Sequence, residues 1–281
     1  MDKKSLPKIY GVLGYPVKHS FSPPMHNAAF STLKINAEYR LFEIKPEDLK
    51  EFFGSLKEKN IWGLNVTIPH KEKVIPFLDS LSDEARLIGA VNTIRVSANA
   101  LEGFNTDGEG FLRHLTEELG FSPRGKIIAV IGAGGAARAI SVYLIKALPK
   151  KMSVYDIDKN KTSVLVEHLK NNFKNIEFIA ADSIPGLNIK DCDLLVNATP
   201  IGMIETDPCL VDGKFMHKNI LVYDLIYNPK ETRLLAQAKK VGAKISNGLG
   251  MLLYQGMLSF EIWTGQKAPK EVMQKALLKI L

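Results

Sequence analysis

Short apolar runs with strand character alternate along the chain with segments in which apolar residues recur at helical spacing. That alternation predicts a mostly parallel sheet with helices on its faces. Residues 9–14 form the first predicted strand. Ser22 followed by Pro23 reads as an N-cap with proline just inside, after which Met25, Ala28, Ala29 and Leu33 share one helical face. Residues 39–44 predict the next strand, Leu49, Phe52, Phe53 and Leu56 a helix begun at Pro46, and residues 62–66 a return to the sheet. Thr106 and Asp107 mark the start of a helix running to about residue 119, where Gly120 accommodates a left-handed stop. A second series opens with a strand at 126–131 and continues at 152–156, 176–179, 193–196 and 221–224, with a helical crossover at 159–171. Beyond Ile245 the pattern changes: Leu249, Leu252, Leu253, Gly256, Met257 and Phe260 lie on one long apolar helix, and Pro269 opens a last one reaching Leu281.

At 281 residues the chain exceeds the usual size of a single core, so two domains are expected. The expected fold class is α/β, with an N-terminal α/β substrate domain over 1–105, completed by C-terminal helices in 247–281, and a Rossmann-type dinucleotide-binding domain over 106–246, separated by a cleft. Apolar residues at 46% and charged residues at 24% describe a soluble globular protein and exclude a disordered one. The formal charge of +7 adds no nucleic-acid partner, because the lysines are spread along the chain and interleaved with acids. Cys192 and Cys209 stand in no CxxC or Cys/His spacing, which fits a reducing compartment and argues against structural zinc. His19, His26 and His70 likewise lack metal-ligand spacing with carboxylates, so no metal is expected. The longest apolar stretch, 127–145, is interrupted by Gly132, Gly134, Gly135 and Arg138 and reads as strand-turn-helix, not a membrane span. Residues 1–7 carry no apolar export segment, so a cytoplasmic protein without a membrane partner is expected.

Gly132-x-Gly134-x-x-Ala137 follows a predicted strand and opens a predicted helix, the context in which glycines let backbone approach a pyrophosphate and the helix start offers unpaired N–H groups. Asp156 ends the next strand, where a carboxylate accepts ribose hydroxyls and repels a 2′-phosphate; it also reads as a helix cap. No arginine stands in that segment, although Lys159 and Lys161 follow Asp158, so NAD is expected, with NADP as the alternative. Upstream, 65–71 and 103–108 each end a predicted strand in polar residues and supply Lys71 and Asp107. A Lys/Asp pair ahead of a dinucleotide turn suggests a dehydrogenase with a proton donor beside the hydride acceptor.

The segments 14–23 (Gly14-Tyr15-Pro16-Val17-Lys18-His19-Ser20-Phe21-Ser22-Pro23), 65–71 (Asn65-Val66-Thr67-Ile68-Pro69-His70-Lys71), Gly89-Ala90-Val91-Asn92-Thr93, 103–108, Asn197-Ala198-Thr199-Pro200-Ile201-Gly202-Met203 and Gly250-Met251-Leu252-Leu253-Tyr254-Gln255 resemble, in order, the motifs of the shikimate and quinate/shikimate dehydrogenases. The resemblance implies reversible nicotinamide-dependent reduction of 3-dehydroshikimate to shikimate, in aromatic amino-acid biosynthesis. It implies a substrate-carboxylate loop at 14–23, a catalytic lysine at Lys71, and a nicotinamide-end loop at 197–203. The cofactor set it implies is Gly132, Gly134, Gly135, Ala136, Ala137, Asp156, Asp158, Thr199 and Gly248. Where NADP-using members place Asn-Arg-Thr, this chain has Asp156-Ile157-Asp158, which resembles the NAD-using quinate/shikimate branch, whereas Ser20 and Ser22 resemble the shikimate-selective pattern. The alternatives are an enzyme using both quinate and shikimate, and a non-catalytic NAD-responsive module.

Reduction of a ketone by hydride builds negative charge on oxygen, which a neighbouring ammonium stabilises and protonates. Lys71 is the candidate ammonium and Asp107 the group that holds it; which of the two moves the proton stays open. A small polyhydroxy carboxylate needs converging hydroxyl and amide groups, for which Ser20, Ser22, Thr67, Asn92 and Gln255 are candidates. Ser22 also reads as a cap and Gln255 as a helix-surface residue, and Tyr227 reads equally as a carboxylate contact and as turn packing. The expected partner is the small-molecule substrate; a homodimer is compatible with the chain, and nothing in the sequence sets the oligomeric state.

Overall fold

The computed structural model describes residues 6–98 and 100–280; the expected helix end at Leu281 lies outside the described residues. The architecture is α/β. The chain divides into two compact units, Met1–Gly110 with Leu252–Leu281, and Phe111–Met251.

The first unit holds a mixed sheet of β1 (Lys8–Gly14), β2 (Ala37–Glu43), β3 (Ile61–Val66), β4 (Ser80–Leu81), β5 (Thr93–Val96) and β6 (Leu101–Phe104), in the order β2-β1-β3-β5-β6-β4. β1 runs parallel to β2 and β3, whereas β5 is antiparallel to both β3 and β6. Helices α1 (Ser22–Thr32), α2 (Leu49–Gly54) and α3 (Asp83–Ile88) lie between its strands, and α4 (Asp107–Arg113) follows β6. The core forms where Leu13, Leu64 and Ile94 of the strands meet Phe52, Phe53 and Leu56.

Two local details differ from the sequence expectation. Ser22 is the first residue of α1 and does not cap it; the N-cap is Phe21, with no side-chain capping bond. The Ser20 hydroxyl accepts the Ser22 N–H at 3.3 Å, so a serine two residues upstream takes an amide the helix leaves unpaired. The buried face of α1 is accordingly Ser22, Met25, His26, Ala29 and Phe30, with Leu33 just past its end. The helix that starts at Asp107 finishes as a π-helical turn, His114–Glu118, before Gly120 turns left-handed at φ 65°.

The second unit is an all-parallel sheet of β7 (Ile127–Ile131), β8 (Lys151–Tyr155), β9 (Glu177–Ala180), β10 (Leu194–Asn197), β11 (Leu221–Asp224) and β12 (Lys244–Ser246), in the order β12-β11-β10-β7-β8-β9. Its crossovers include α5 (Gly135–Lys146), α6 (Lys159–Asn172) and α7 (Arg233–Lys240). The strand order reverses between β7 and β10, so the loops leaving their C-terminal ends flank the position where doubly wound sheets bind ligands. Burial on both faces accounts for the unbroken apolar run of β7, whose residues 128–131 are all buried. Two further helices follow, α8 (Leu249–Thr264) and α9 (Lys270–Leu278); α9 packs on α1.

Candidate active site

Three chain turns bring one polar cluster together in the first unit. After β3, the His70 N–H bonds the Thr67 carbonyl at 2.9 Å, and the Lys71 carbonyl accepts the Val91 N–H at 2.8 Å. The short helix α3 delivers Val91 there. Ser82 caps it by accepting the Ala85 N–H at 3.1 Å, and Gly89 ends it in the left-handed region at φ 73°, so the chain turns back into β5 through Asn92. After β6, Asn105 accepts the Asp107 N–H at 3.1 Å and donates to the Ala90 carbonyl at 2.9 Å, which sets the start of α4.

In this frame Lys71 Nζ lies 2.5 Å from Asp107 Oδ2, with side-chain exposures of 14% and 7%. Asn92 Nδ2 donates to the other carboxylate oxygen, Oδ1, at 2.9 Å and lies 3.4 Å from Gln255 Oε1. The orientation of the Asn92 amide is set by chemistry: the Thr106 backbone N–H, a donor only, lies 2.8 Å from Oδ1, so Nδ2 must face Asp107. The carboxylate therefore holds an ammonium on one side and an amide on the other, a charge-assisted pair in a nearly dry setting.

The loop after β1 is tied to the same turn. Thr67 donates its N–H to the Leu13 carbonyl at 2.9 Å, and Tyr15 donates to Ile68 at 3.0 Å. Glu43 accepts the Val17 N–H at 3.2 Å. A Cβ on Gly14 would come within 2.4 Å of Thr67 Cγ2, so glycine there lets the loop lie against Thr67. Next to Lys71, His70 is buried; its Nε2 donates to the Ile44 carbonyl at 2.7 Å, and burial lowers its pKa.

In the second unit the glycine turn joins β7 to α5. Gly132 has φ 113° and a Cβ there would sit 3.0 Å from the Ala198 backbone, so both conformation and packing demand glycine. Gly134 is different: its φ of −79° suits any residue, and nothing lies within 4 Å of where its Cβ would be. No side chain caps α5, so its first N–H groups take no side-chain partner there. A glycine that the protein itself does not require, before uncapped amides, fits close approach of a dinucleotide pyrophosphate. Asp156 follows β8; its Oδ2 accepts the Ala133 N–H at 2.8 Å and its Oδ1 the Asp158 N–H at 2.9 Å. Asp158, not Asp156, caps α6, accepting from Asn160 and Lys161.

A family model described as the shikimate dehydrogenase substrate binding domain matches residues 12–94, and one described as the shikimate 5'-dehydrogenase C-terminal domain matches 248–278. A shikimate dehydrogenase (NADP+) of Methanopyrus kandleri is 48% identical over 97% of this chain and 96% of that protein. The chain belongs to the shikimate dehydrogenase family. A crystal structure of a shikimate dehydrogenase in complex with NADP+ superposes with a TM-score of 0.89 at 41% identity, over 98% of this chain and 96% of that one. Shikimate 5-dehydrogenase of Listeria monocytogenes, in complex with shikimate and NAD, gives 0.85 at 33% identity over 96% of each chain.

Of the residues expected at the site of this shikimate dehydrogenase family member, Lys71, Asp107, Asn92 and Gln255 form one hydrogen-bonded cluster. Gln255 is 93% buried, not a helix-surface residue, its exposure being 7%. Thr67 stands in the turn leading to Lys71, Ser20 is half-buried in the loop before α1, and Ser22 is buried. Tyr227 lies half-buried in the second unit, three residues past β11. Thr199 is tethered by its hydroxyl to Asn197 Oδ1 at 2.7 Å. Gly248 serves packing: a Cβ there would collide with the Leu225 carbonyl oxygen at 1.9 Å. Among the described residues no helix is long and apolar enough to cross a membrane, and no group of three or more His, Cys, Asp or Glu could hold a metal ion.

Sequence reasoning missed two sets of supports. Thr93 and Ser259 are fully buried hydroxyls behind Asn92. The available signal was Ser259's place one helical turn after Gln255. In the second unit Asp224 ends β11, fully enclosed, and accepts from Asn197 Nδ2 at 2.9 Å, Thr232 Oγ1 at 2.7 Å and the Ile226 N–H at 3.1 Å. Asn197 in turn holds Thr199 and Ile201, so Asp224 anchors the 197–203 loop. Burial outweighs its three donors and pushes the Asp224 carboxyl up to about 6.

Proposed function

We propose that the protein catalyses reversible nicotinamide-dependent interconversion of 3-dehydroshikimate and shikimate in aromatic amino-acid biosynthesis, a cytoplasmic reaction. The observation that carries this reading is the Lys71–Asp107 ion pair, locked by Asn92, which Gln255 Oε1 approaches. The nicotinamide group, when bound, exchanges a hydride with the ring carbon. Lys71 stabilises the oxygen on that carbon and, with Asp107, moves its proton: onto the oxygen in reduction, off it in oxidation. Asp107 keeps the ammonium in place, and Asn92 keeps Asp107 in place. Ser20, Ser22, Thr67 and Gln255 supply hydroxyl and amide partners for the substrate's carboxylate and hydroxyls.

Gly132, Gly134, Gly135, Ala136 and Ala137 would hold the pyrophosphate, with Thr199 on the loop toward the nicotinamide. For the adenosine end we infer NAD over NADP. The Asp156 carboxylate stands beside the turn with no arginine in 151–161, and Lys161 and Lys159 lie 3.8 Å from the carboxylates of Asp158 and Asp182. The Methanopyrus relative carries NADP+ in its name, and the Listeria structure contains NAD. Initial rates of shikimate oxidation with each cofactor test both points. Higher kcat/KM with NAD supports the Asp156 argument, a strong preference for NADP refutes it, and absence of turnover with either refutes the reaction. Quinate as an equally good substrate would refute shikimate selectivity.

A further inference from the structure

Behind the Lys71–Asp107 pair lies a layer of buried hydroxyls that neither a substrate nor a cofactor needs to touch. Ser259 on α8 and Thr93 on β5 are each 0% exposed. Ser259 Oγ lies 2.7 Å from Thr93 Oγ1, 2.8 Å from Asn65 Nδ2, 3.2 Å from Thr106 Oγ1 and 2.9 Å from the Gln255 carbonyl oxygen. A helical serine is ordinarily satisfied by the carbonyl one turn back. Here three further partners converge on it.

Counting protons shows what the layer does. Asn65 Oδ1 accepts the Tyr39 hydroxyl at 2.7 Å, so its Nδ2 is left to donate, toward Ser259 Oγ and Thr93 Oγ1. Ser259 and Thr93 own one proton each. Ser259 donates either to the Gln255 carbonyl, with Thr93 donating to Ser259 or to Asn92 Oδ1, or to Thr93, which then donates to Asn92 Oδ1, 3.0 Å away. In each arrangement every proton meets an acceptor. In the last, Ser259 links α8, the helix that also carries Gln255, through Thr93 to Asn92.

We propose that Ser259 is a positioning residue for the reaction proposed above, on which this inference rests. By donating to Thr93, which donates on to Asn92 Oδ1, it holds Asn92 against Asp107, and its own oxygen accepts from Asn65 Nδ2. Removing the hydroxyl takes from Asn65 Nδ2 its shortest acceptor and from Thr93 the donor behind it, which loosens the hold on Asn92 Oδ1.

The test compares Ser259→Ala, Thr93→Val and Thr93→Ser in steady-state shikimate oxidation and by NMR exchange of the Asn92 side-chain amide protons. Wild-type turnover tests the function; the variants test the positioning. Ser259→Ala and Thr93→Val are expected to lower kcat by about tenfold to hundredfold, with cofactor KM within about twofold of wild type. Thr93→Ser, which keeps the hydroxyl, is expected to retain most of kcat. Exchange of the Asn92 amide should quicken by about tenfold or more in the two hydroxyl-free variants. Wild-type kcat in a folded Ser259→Ala or Thr93→Val protein overturns the proposal, as does a loss confined to melting temperature. Should the wild-type enzyme not turn over shikimate, the function falls, while unchanged Asn92 exchange in Ser259→Ala would separately sink the positioning.

Discussion

Asn92 and Asp107 meet on the side of the carboxylate that Lys71 does not occupy: Asn92 Nδ2 lies 2.9 Å from Oδ1, while the ammonium takes Oδ2. A carboxylate shared in this way cannot rotate without losing one partner. Asn92→Ala should therefore lower kcat by about tenfold or more and cost roughly 1–3 kcal/mol of stability, the cost of leaving a buried acceptor unmet. Asn92→Asp should be worse on both counts, because it sets a second carboxylate against Asp107. Rates at saturating substrate and urea unfolding of both variants check the ordering; an Asn92→Asp protein more active than Asn92→Ala would contradict it.

Lys71 supplies the cation of the pair and Arg is a poor replacement, since a guanidinium stays protonated and cannot exchange a proton with the substrate. Lys71→Ala and Lys71→Arg are both expected to lower kcat by about 10²- to 10⁴-fold. Cofactor affinity, measured by fluorescence titration of the binary complex, should stay within about twofold of wild type in either variant, because the glycine turn belongs to the second unit. Wild-type-like turnover in Lys71→Ala would remove the residue from its role.

The second unit was the more legible of the two. Its central strands β7, β10 and β11 are buried on both faces and read as apolar runs, so 221–224 coincides with β11 and the other four predicted strands lie within one residue of those observed, whereas the short, half-exposed edge strand β12 was not predicted. The first unit was harder because its sheet turns antiparallel at β5 and β6, four-residue strands whose pairing is set by partners distant in sequence. At the site, Lys71 and Asp107 were legible because each follows a predicted strand in a polar turn, and Asn92 through the resemblance of residues 89–93 to a family motif. Ser259 and Thr93 were not, since a serine on an apolar helix and a threonine opening a strand carry no sign that they share one buried layer. Ser22 was misread as a cap because its own spacing from Pro23 is right for one; the acceptor is supplied instead by Ser20.

Gly132 and Gly134 separate folding from binding within one turn. Gly132→Ala forces a side chain into the left-handed region and against the Ala198 backbone, so a loss of about 1–3 kcal/mol is expected. Gly134→Ala meets open space in an extended conformation and should leave stability within about 0.5 kcal/mol while raising the cofactor KM by about tenfold or more. Thermal unfolding and cofactor titration of the two variants decide the matter. Unimpaired cofactor binding in Gly134→Ala would mean that the pyrophosphate does not approach this glycine.

His26 and Asp224 impose opposite acid responses, each within its own unit. His26 is fully buried, stacks on Tyr39 with ring centroids 4.4 Å apart, and is pushed by burial from 6.5 down to about 3. Between those values the unfolded chain binds a proton that the folded one refuses, so stability falls as pH drops below about 6.5, by about 1.4 kcal/mol per pH unit. Asp224 runs the other way: burial raises it from 3.8 to about 6, so the folded chain binds the extra proton and stability rises as pH drops through that window. From pH 6 to 4 the two slopes nearly cancel. Asp224→Asn should expose the His26 response, a loss of about 2–3 kcal/mol between pH 6 and 4, whereas His26→Phe, which keeps the stack on Tyr39, should expose the gain. Urea unfolding across this range gives the answer: diverging profiles for the two variants support the assignment, and parallel ones would show that neither group has a shifted titration in the folded protein.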